Sequence, residues 1–428
     1  MTASATVATQ FQFRNNILHA EQLALTELAE RFGTPLYVYS RRALRQAWQA
    51  YADAAQNRDV LVCFGMKANS NLAVLKEFER LGAGFDIVSG GELARALAVG
   101  ADPAKIVFSG VGKQEWEMRA GLQAGIKCFN VESEAELERL AEVSAQMGAI
   151  APISLRVNPD VDARTHPYIS TGLKENKFGI AIENAVQVYQ RARQLPSLKI
   201  VGVDCHIGSQ LTEVDPYLDA LDKLIGLMDQ LSAQGIHIEH LDLGGGIGIR
   251  YVDETPLTPT QLLDAVFARL QAAGYPHLQI VLEPGRSLVG NAGALLTTVQ
   301  YLKHNEAKHF AVVDAAMNDL LRPTLYEAWH AVEPVVTPAA DAPEPVHAYD
   351  IVGPICESGD WLARNRPLAL RQGDVLAILS AGAYAFTMSS QYNTRPRPAE
   401  VMVDGSQVHL IRPRETLESL YAGELTLP

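Results

Sequence analysis

From residue 61 to residue 285, eight short apolar runs alternate with longer stretches of helical spacing, and that alternation leaves few folds open. The runs occupy 61–66, 84–89, 106–110, 128–132, 153–158, 201–206, 240–246 and 280–285. Between them, segments such as N-L-A-V-L-K-E-F-E-R-L-G and E-A-E-L-E-R-L-A-E-V repeat apolar residues at i, i+3, i+4, and several close on glycine. Strand and helix alternating in this way predict an α/β fold: a (β/α)8 TIM-like barrel of parallel strands, with a functional site at the C-terminal rim.

Polar residues gather where such a rim would be. Lys67, Asp86, Ser109, Asn130, Asn158, His206, the run Gly244, Gly245, Gly246, and Glu283 all fall at strand ends. The interior of a parallel sheet favours apolar side chains, so a ligand at the rim is the economical explanation. From residue 294 the texture changes to β-rich runs, including A-L-L-T-T-V-Q-Y-L, H-F-A-V-V-D-A and D-V-L-A-I-L-S. These predict a second, mainly β domain, sandwich-like or barrel-like. The expected division is 36–290 for the barrel, and 1–35 with 291–428 for the β-rich domain. T-P-A-A-D-A-P-E-P at 337–345 reads as a surface loop.

Charge and cysteine usage narrow the function. Lys and Arg total 36 against 49 Asp and Glu, a net charge of −13 that opposes nucleic acid or anionic membrane as a partner. No apolar stretch is long and charge-free enough to span a bilayer. The start M-T-A-S-A-T-V-A-T-Q lacks the basic and apolar regions of a signal peptide, so a cytoplasmic location is expected. Cys63, Cys128, Cys205 and Cys356 form no C-x-x-C pair, and neither a metal nor a disulfide framework is expected. The first three sit in apolar runs as core; Cys356, among Pro354, Glu357, Ser358 and Gly359, is poorly explained by packing.

Lys67 ends the run V-L-V-C-F-G-M-K. An amine fixed at the end of a rigid strand is placed to lose its proton and attack a carbonyl, although a lone lysine there is also an ordinary solvated terminus. Its company carries the functional reading: C-H-I-G-S at 205–209, L-G-G-G-I-G at 243–248, E-P-G-R at 283–286 and G-P-I-C-E-S-G-D at 353–360. An amine, an imidazole, a glycine run, a carboxylate and a thiol are the parts of a pyridoxal-phosphate site. The glycine run is not a dinucleotide fingerprint, because reading G-x-G-x-x-G from Gly244 or Gly246 puts Ile249 or Tyr251 at the third glycine. It is either a cradle of N–H groups for phosphate or a tight turn. His206 is either a functional ring or a hydrogen-bonded strand histidine, and Asp86 and Asn69 either orient Lys67 or cap strand ends.

The order and wording of these motifs, from T-P-L-Y-V-Y-S at 34–40 to Ala383 and Tyr384, closely resemble the alanine-racemase-like (fold type III) pyridoxal-phosphate enzymes. Within that group they resemble the diaminopimelate decarboxylases. N-P-D-V-D-A-R-T-H-P-Y-I-S-T-G at 158–172, K-F-G-I at 177–180, and R-P-T-L-Y at 322–326 beside D-A-A-M-N-D at 314–319 match the same pattern. The resemblance implies pyridoxal 5′-phosphate held on Lys67 and decarboxylation of meso-2,6-diaminopimelate to L-lysine and CO2. It also implies a homodimer with shared sites, in which the C-E-S loop at 356–358 enters the neighbouring subunit's site, and it joins the N-terminal segment to the second domain.

Residue by residue, the resemblance implies that His206 stacks on the cofactor ring and that Ser209 and Tyr384 complete the phosphate shell of Gly244, Gly245 and Gly246. Glu283 would face the pyridine nitrogen, where a carboxylate keeps the ring protonated and electron-withdrawing; racemases of the group carry an arginine there. Cys356 would return a proton to the carbanion. Arg322 offers a fork for a carboxylate and Glu357 a partner for an ammonium, so the distal end of the substrate is an amino-acid head, with Tyr326 and Tyr384 beside it. Arg286, brought round by the turn at Pro284 and Gly285, would meet either the phosphate or a substrate carboxylate. Ornithine or lysine as substrate would leave Arg322 unpaired, and an ordinary surface ion pair is the bland reading of that arginine. A catalytically inactive regulatory binder is disfavoured by the joint presence of Lys67, His206, Glu283, Cys356 and Tyr384.

Overall fold

The computed structural model describes residues 10–161, 176–337 and 345–428. The first nine residues, the 158–172 motif beyond Val161 and most of the 337–345 loop lie outside the described residues. The chain divides into two compact units: Ala47–Ile249 with Thr255–Ser287, and Met1–Gln46 with Arg250–Glu254 and Leu288–Pro428.

The first unit is the expected closed barrel. Its strands are β1 (Val60–Gly65), β2 (Gly84–Ile87), β3 (Ile106–Phe108), β4 (Cys128–Val131), β5 (Ala151–Asn158), β6 (Leu198–Asp204), β7 (His240–Asp242) and β8 (Gln279–Leu282). Each pairs in parallel with the next, and β8 returns to β1 with Ile280 opposite Val60. The intervening helices are bounded by local signals. In Glu134–Met147, for example, the Ser133 hydroxyl accepts from the Glu136 N–H and Gly148 turns left-handed at φ 63°.

Alternate residues of a barrel strand face inward, and here the alternation separates two chemistries. Cys63, Val107, Cys128, Val201 and Val281 form an apolar plug. Two positions beyond Val107, Cys128 and Val281 stand Ser109, Asn130 and Glu283; Asp86, Arg156, Asp204 and Asp242 hold comparable places on their strands, and all seven are buried. The barrel therefore has an apolar base and a polar crown at the carboxyl ends of its strands. Lys113 ties one side of that crown together, donating from Nζ to the Gly110 carbonyl (2.8 Å), the Asn130 carbonyl (2.7 Å) and Glu136 Oε1 (2.8 Å).

The second unit is mainly β. Its principal sheet runs in the order Trp361–Leu368, His347–Val352, His309–Val313, Gly293–His304, Leu36–Ser40, Ala399–Asp404, Gln407–Arg412, and Val375–Ile378 joins Gly293–His304 to Val332–Pro334. A smaller sheet comprises Phe11–Arg14, Ile17–Ala20 and Leu23–Ala24. Leu36–Ser40, expected inside the barrel, instead lies between Gly293–His304 and Ala399–Asp404. Leu36 and Val38 enter one apolar core with Leu296 and Val401, while Tyr37 and Tyr39 enter another with Leu295 and Tyr349. A strand buried on both faces reads as a continuous apolar run, which is why the sequence could not tell it from a barrel strand. No helix among the described residues is long and apolar enough to cross a membrane.

Lys113 and Glu136 are both buried, with side-chain exposures of 1% and 7%. Breaking such a pair strands a charge, whereas replacing both members with apolar residues does not. Lys113→Ala should therefore lower stability by about 3–5 kcal/mol in urea titration, and Lys113→Met with Glu136→Leu should cost clearly less. Equal losses in the two variants would mean that the pair does not hold the crown.

Candidate active site

Lys67 leaves β1 on a single 3₁₀ turn, Met66–Ala68, and its Nζ stands 3.0 Å from Asp86 Oδ2 on β2. The register that sets Gly65 opposite Asp86 brings the two together. Asp86 is thus an inward strand residue on Lys67 rather than a strand-end cap, whereas Asn69 Oδ1 accepts locally from the Asn71 N–H. Asp86 Oδ1 is buried without a hydrogen-bond partner among the described residues.

Across the crown, Glu283 follows β8 directly, and its Oε1 is approached by Ser109 Oγ and Asn130 Nδ2, each at 3.4 Å. Asp204, Asp242 and Glu283 bring carboxylate oxygens within 4.8 Å of one another. Arg156, 2.9 Å from Glu132, is the nearby cation on β5. Burial, and then the neighbouring Asp242, Asp86 and Asp204, push the Glu283 carboxyl well above the usual carboxylate range. Asp204 rises for the same reasons, burial first and Asp242 second, against the opposing pull of Arg156. Burial pushes Asp242 up to about 6 even though the Gly244 N–H donates to it at 2.8 Å. A proton held on one of these acids turns a repulsion into a hydrogen bond.

The glycine run follows β7. A Cβ on Gly245 would lie 2.2 Å from the Glu283 carbonyl oxygen, and Gly246 sits at φ 114°, so neither position admits a side chain. The Gly245 N–H donates to His206 Nδ1 at 3.2 Å. Burial, then the Lys67 and Arg156 charges, drive the His206 imidazole well below its ordinary value, so the ring is neutral with its proton on Nε2. Ser209 Oγ accepts from Arg286 Nε (3.2 Å) and Nη2 (3.0 Å), coupling the loop after β6 to the turn after β8. Lys67, Asp86, His206, Ser209, the glycines, Glu283 and Arg286 therefore belong to one crown.

The other expected residues lie in the β-rich unit. Arg322 begins the short helix Arg322–Tyr326 and is buried rather than on the surface. Its Nη1 donates to Tyr251 Oη at 2.9 Å and to His330 Nε2 at 3.1 Å. His330 Nδ1 faces the Leu379 carbonyl at 2.9 Å and must donate there, which leaves Nε2 bare to accept from the guanidinium. Tyr326 closes the same helix, and Thr324 Oγ1 donates to the Gly359 carbonyl at 2.8 Å, tying the helix to the C-E-S loop. Cys356 and Glu357 are exposed. Buried Asp360 holds the loop base, accepting from the Met317 and Ile355 N–H groups at 2.7 Å each, and Tyr392 Oη donates to Glu357. Tyr384 takes φ 53°, and two residues before it a Cβ on Gly382 would lie 1.8 Å from the Val289 carbonyl oxygen. An L-residue held left-handed beside so close a backbone crossing marks a position under constraint.

Asp204, Asp242, Arg156, Tyr251, His330 and Tyr392 were not singled out from the sequence. The first three had a signal: Asp204 stands two residues before His206, Asp242 two before Gly244 and Arg156 two before Asn158, so period-two counting back from the rim reaches all three. An acid with raised proton affinity in the fold contributes stability that is lost as pH climbs from its unfolded value, about 4, through its folded value, about 6 for Asp242. In ligand-free protein, the melting temperature of Asp242→Asn minus that of wild type should grow between those pH values and then level off. A margin flat across the range would take the titrating proton off Asp242.

Residues 41–290 match the family model described as pyridoxal-dependent decarboxylase, pyridoxal binding domain. The chain is 61% identical over 418 residues to the diaminopimelate decarboxylase of Pseudomonas aeruginosa, covering 98% of this chain and 99% of that one. It is 56% identical over 411 residues to that of Vibrio cholerae, covering 96% and 97%. Among solved structures, diaminopimelate decarboxylase from Helicobacter pylori complexed with L-lysine superposes with a TM-score of 0.88 at 42% identity, over 93% of this chain and 98% of that one. The chain belongs to the pyridoxal-dependent decarboxylase family, among the diaminopimelate decarboxylases.

Proposed function

We propose that this chain decarboxylates meso-2,6-diaminopimelate to L-lysine and CO2, the last step of lysine biosynthesis, with pyridoxal 5′-phosphate held in the barrel crown. The observation that carries the site is Lys67 set 3.0 Å from Asp86 at the mouth of an acid-lined barrel. The crown fits the cofactor on its own terms. One oxygen each of Asp86 (Oδ1) and Asp242 (Oδ2) is buried with no hydrogen-bond partner among the described residues, and a cationic ring nitrogen offsets the excess negative charge around them. The side-chain-free run at Gly244, Gly245 and Gly246, with Arg286 and Ser209 coupled beside it, suits an anionic phosphate.

When bound, the cofactor supplies an aldehyde that an amine can capture and a ring that withdraws electrons from the substrate's α-carbon. Lys67 is the amine, and Asp86 keeps it pointed at the crown. Glu283 must be ionised to hold a proton on the ring nitrogen, and the proton retained by Asp204 eases that charge among several buried acids. His206, neutral and flat, can lie against the ring without adding a competing cation. Arg322 receives the distal carboxylate: Tyr251 and His330 fix one of its nitrogens without bringing a negative charge to it. Glu357, steadied by Tyr392, receives the distal ammonium, Tyr326 and Tyr384 line the pocket, and the Cys356 thiol delivers a proton to the α-carbon after CO2 departs.

We place Cys356 and Glu357 in the neighbouring subunit's site within a homodimer, since both ride an exposed loop braced at its base by Asp360. The four cysteines are all free, exposed Cys356 included, which suits a reducing cytoplasm. A net charge of −13 argues against nucleic acid or anionic membrane as partners.

Purified protein supplied with meso-diaminopimelate should release L-lysine, and Lys67→Ala should abolish that release without unfolding the chain. Turnover of L-ornithine in preference to diaminopimelate would overturn the substrate assignment. Arg322→Met should cost about 3–5 kcal/mol in kcat/KM for diaminopimelate, on the order of a hundredfold to a few thousandfold, and shift the diaminopimelate-to-ornithine ratio with it. An unchanged ratio would remove Arg322 from the pocket. Mixing Lys67→Ala with Cys356→Ala subunits should restore about a quarter of wild-type activity, because half of randomly exchanged dimers are mixed and one of their two sites is intact. Verified exchange without recovery would place the whole site in one chain.

A further inference from the structure

Three histidines distant in sequence meet on one face of the β-rich unit. His304 ends the strand Gly293–His304, and His309 opens His309–Val313; the antiparallel register sets them directly opposite one another. His347 opens His347–Val352, which runs parallel to His309–Val313 with His309 opposite Tyr349, so His347 lies one pleat back on the same face. The ring centroids are 4.9 Å apart for His304 and His309, 5.2 Å for His304 and His347, and 4.3 Å for His309 and His347. Buried Tyr349 floors the group, its ring 5.8 to 6.1 Å from each imidazole.

The surrounding sequence, K-H-N-E-A-K-H at 303–309, looks hostile to a cation until the pleat is considered. Alternation turns Lys303 and Lys308 to the other face, where Lys308 pairs with Asp350 at 2.8 Å. Arg366, opposite Tyr349 on the next strand, stacks over Trp329 at 4.2 Å and donates to the His330 carbonyl. The Nδ1 atoms of His304 and His309 are 2.7 Å apart, which requires a bare nitrogen on one ring facing an N–H on the other. Neutral imidazoles with available lone pairs are the form that binds metal.

We propose that His304, His309 and His347 form a binding site for a divalent transition-metal ion of the imidazole-seeking class, Zn²⁺, Ni²⁺ or Cu²⁺, with water completing the coordination on the solvent side. The exposed His304 ring turns about its side-chain bonds to close on the ion. The ion replaces the hydrogen bond between His304 and His309, the proton that lay between them moving to the outer nitrogen of its own ring so that each imidazole stays neutral, and it fastens the hairpin to the strand His347–Val352.

Tag-free holoenzyme, stripped with a chelator and titrated with zinc chloride in a calorimeter, should take up a single ion per chain. His304→Ala and His347→Ala should each weaken that uptake by about tenfold or more, and the triple alanine variant should abolish it. Copper in place of zinc should give an electron paramagnetic resonance spectrum with nitrogen hyperfine structure, which the triple variant lacks. Lysine-forming activity of the metal-free variants should stay close to wild type, showing that they fold. Absence of uptake by the wild type, or uptake that any of these variants retains in full, would overturn the site; retention by the triple variant would mark an adventitious ion bound elsewhere.

Discussion

The crowding of buried carboxylates at the carboxyl ends of the barrel strands is the constraint on which this protein is organised. Asp86, Asp204, Asp242 and Glu283 stand in a space whose nearby cations are Lys67 and Arg156, and burial together with mutual repulsion raises the proton affinity of Asp204, Asp242 and Glu283. Left alone, such an arrangement costs stability, because isolated buried charge is expensive. It is reasonable only as half of a larger arrangement whose other half carries positive charge. The acid crown is in this sense a binding site defined by its own electrostatic deficit, and the apolar plug of Cys63, Val107, Cys128, Val201 and Val281 below it keeps water from relieving that deficit.

The β-rich unit meets a different problem, that of holding functional side chains in position. Arg322 is held by a phenol and by a histidine whose own tautomer is dictated by a backbone carbonyl. The loop carrying Cys356 and Glu357 is anchored by one buried carboxylate gripping two backbone N–H groups and by one threonine hydroxyl. In each case buried side chains hydrogen-bonded to their surroundings do the positioning, and the chemistry is left to the residue they position.

Much of this was legible in the sequence, for identifiable reasons. The eight barrel strands were legible because each apolar run is separated from the next by a helix with its own start and stop signals, and the rim residues because polar side chains interrupt otherwise apolar runs. Asp204 and Asp242 escaped because attention to the final residue of a run hides the inward neighbour two positions earlier. Tyr251, His330 and Tyr392 carry no periodic signal at all: their roles arise where distant segments of the β-rich unit fold back on one another. The histidines at 304, 309 and 347 are of the same kind, since a site written across three paired strands has no characteristic spacing, and cysteine arithmetic is blind to it.

The strand Leu36–Ser40 also bears on how the chain is made. It is synthesised ahead of every barrel strand, yet its two sheet neighbours, Gly293–His304 and Ala399–Asp404, come after the barrel. Until those strands are made, a segment reading L-Y-V-Y, apolar on both faces, has no native sheet neighbour to pair with. The barrel can assemble in the meantime from strands that follow one another in order, but the β-rich unit cannot close until Ala399–Asp404 has been made. The wait of this strand is therefore set by the order of the elements, with the whole barrel standing between it and its partners in the chain.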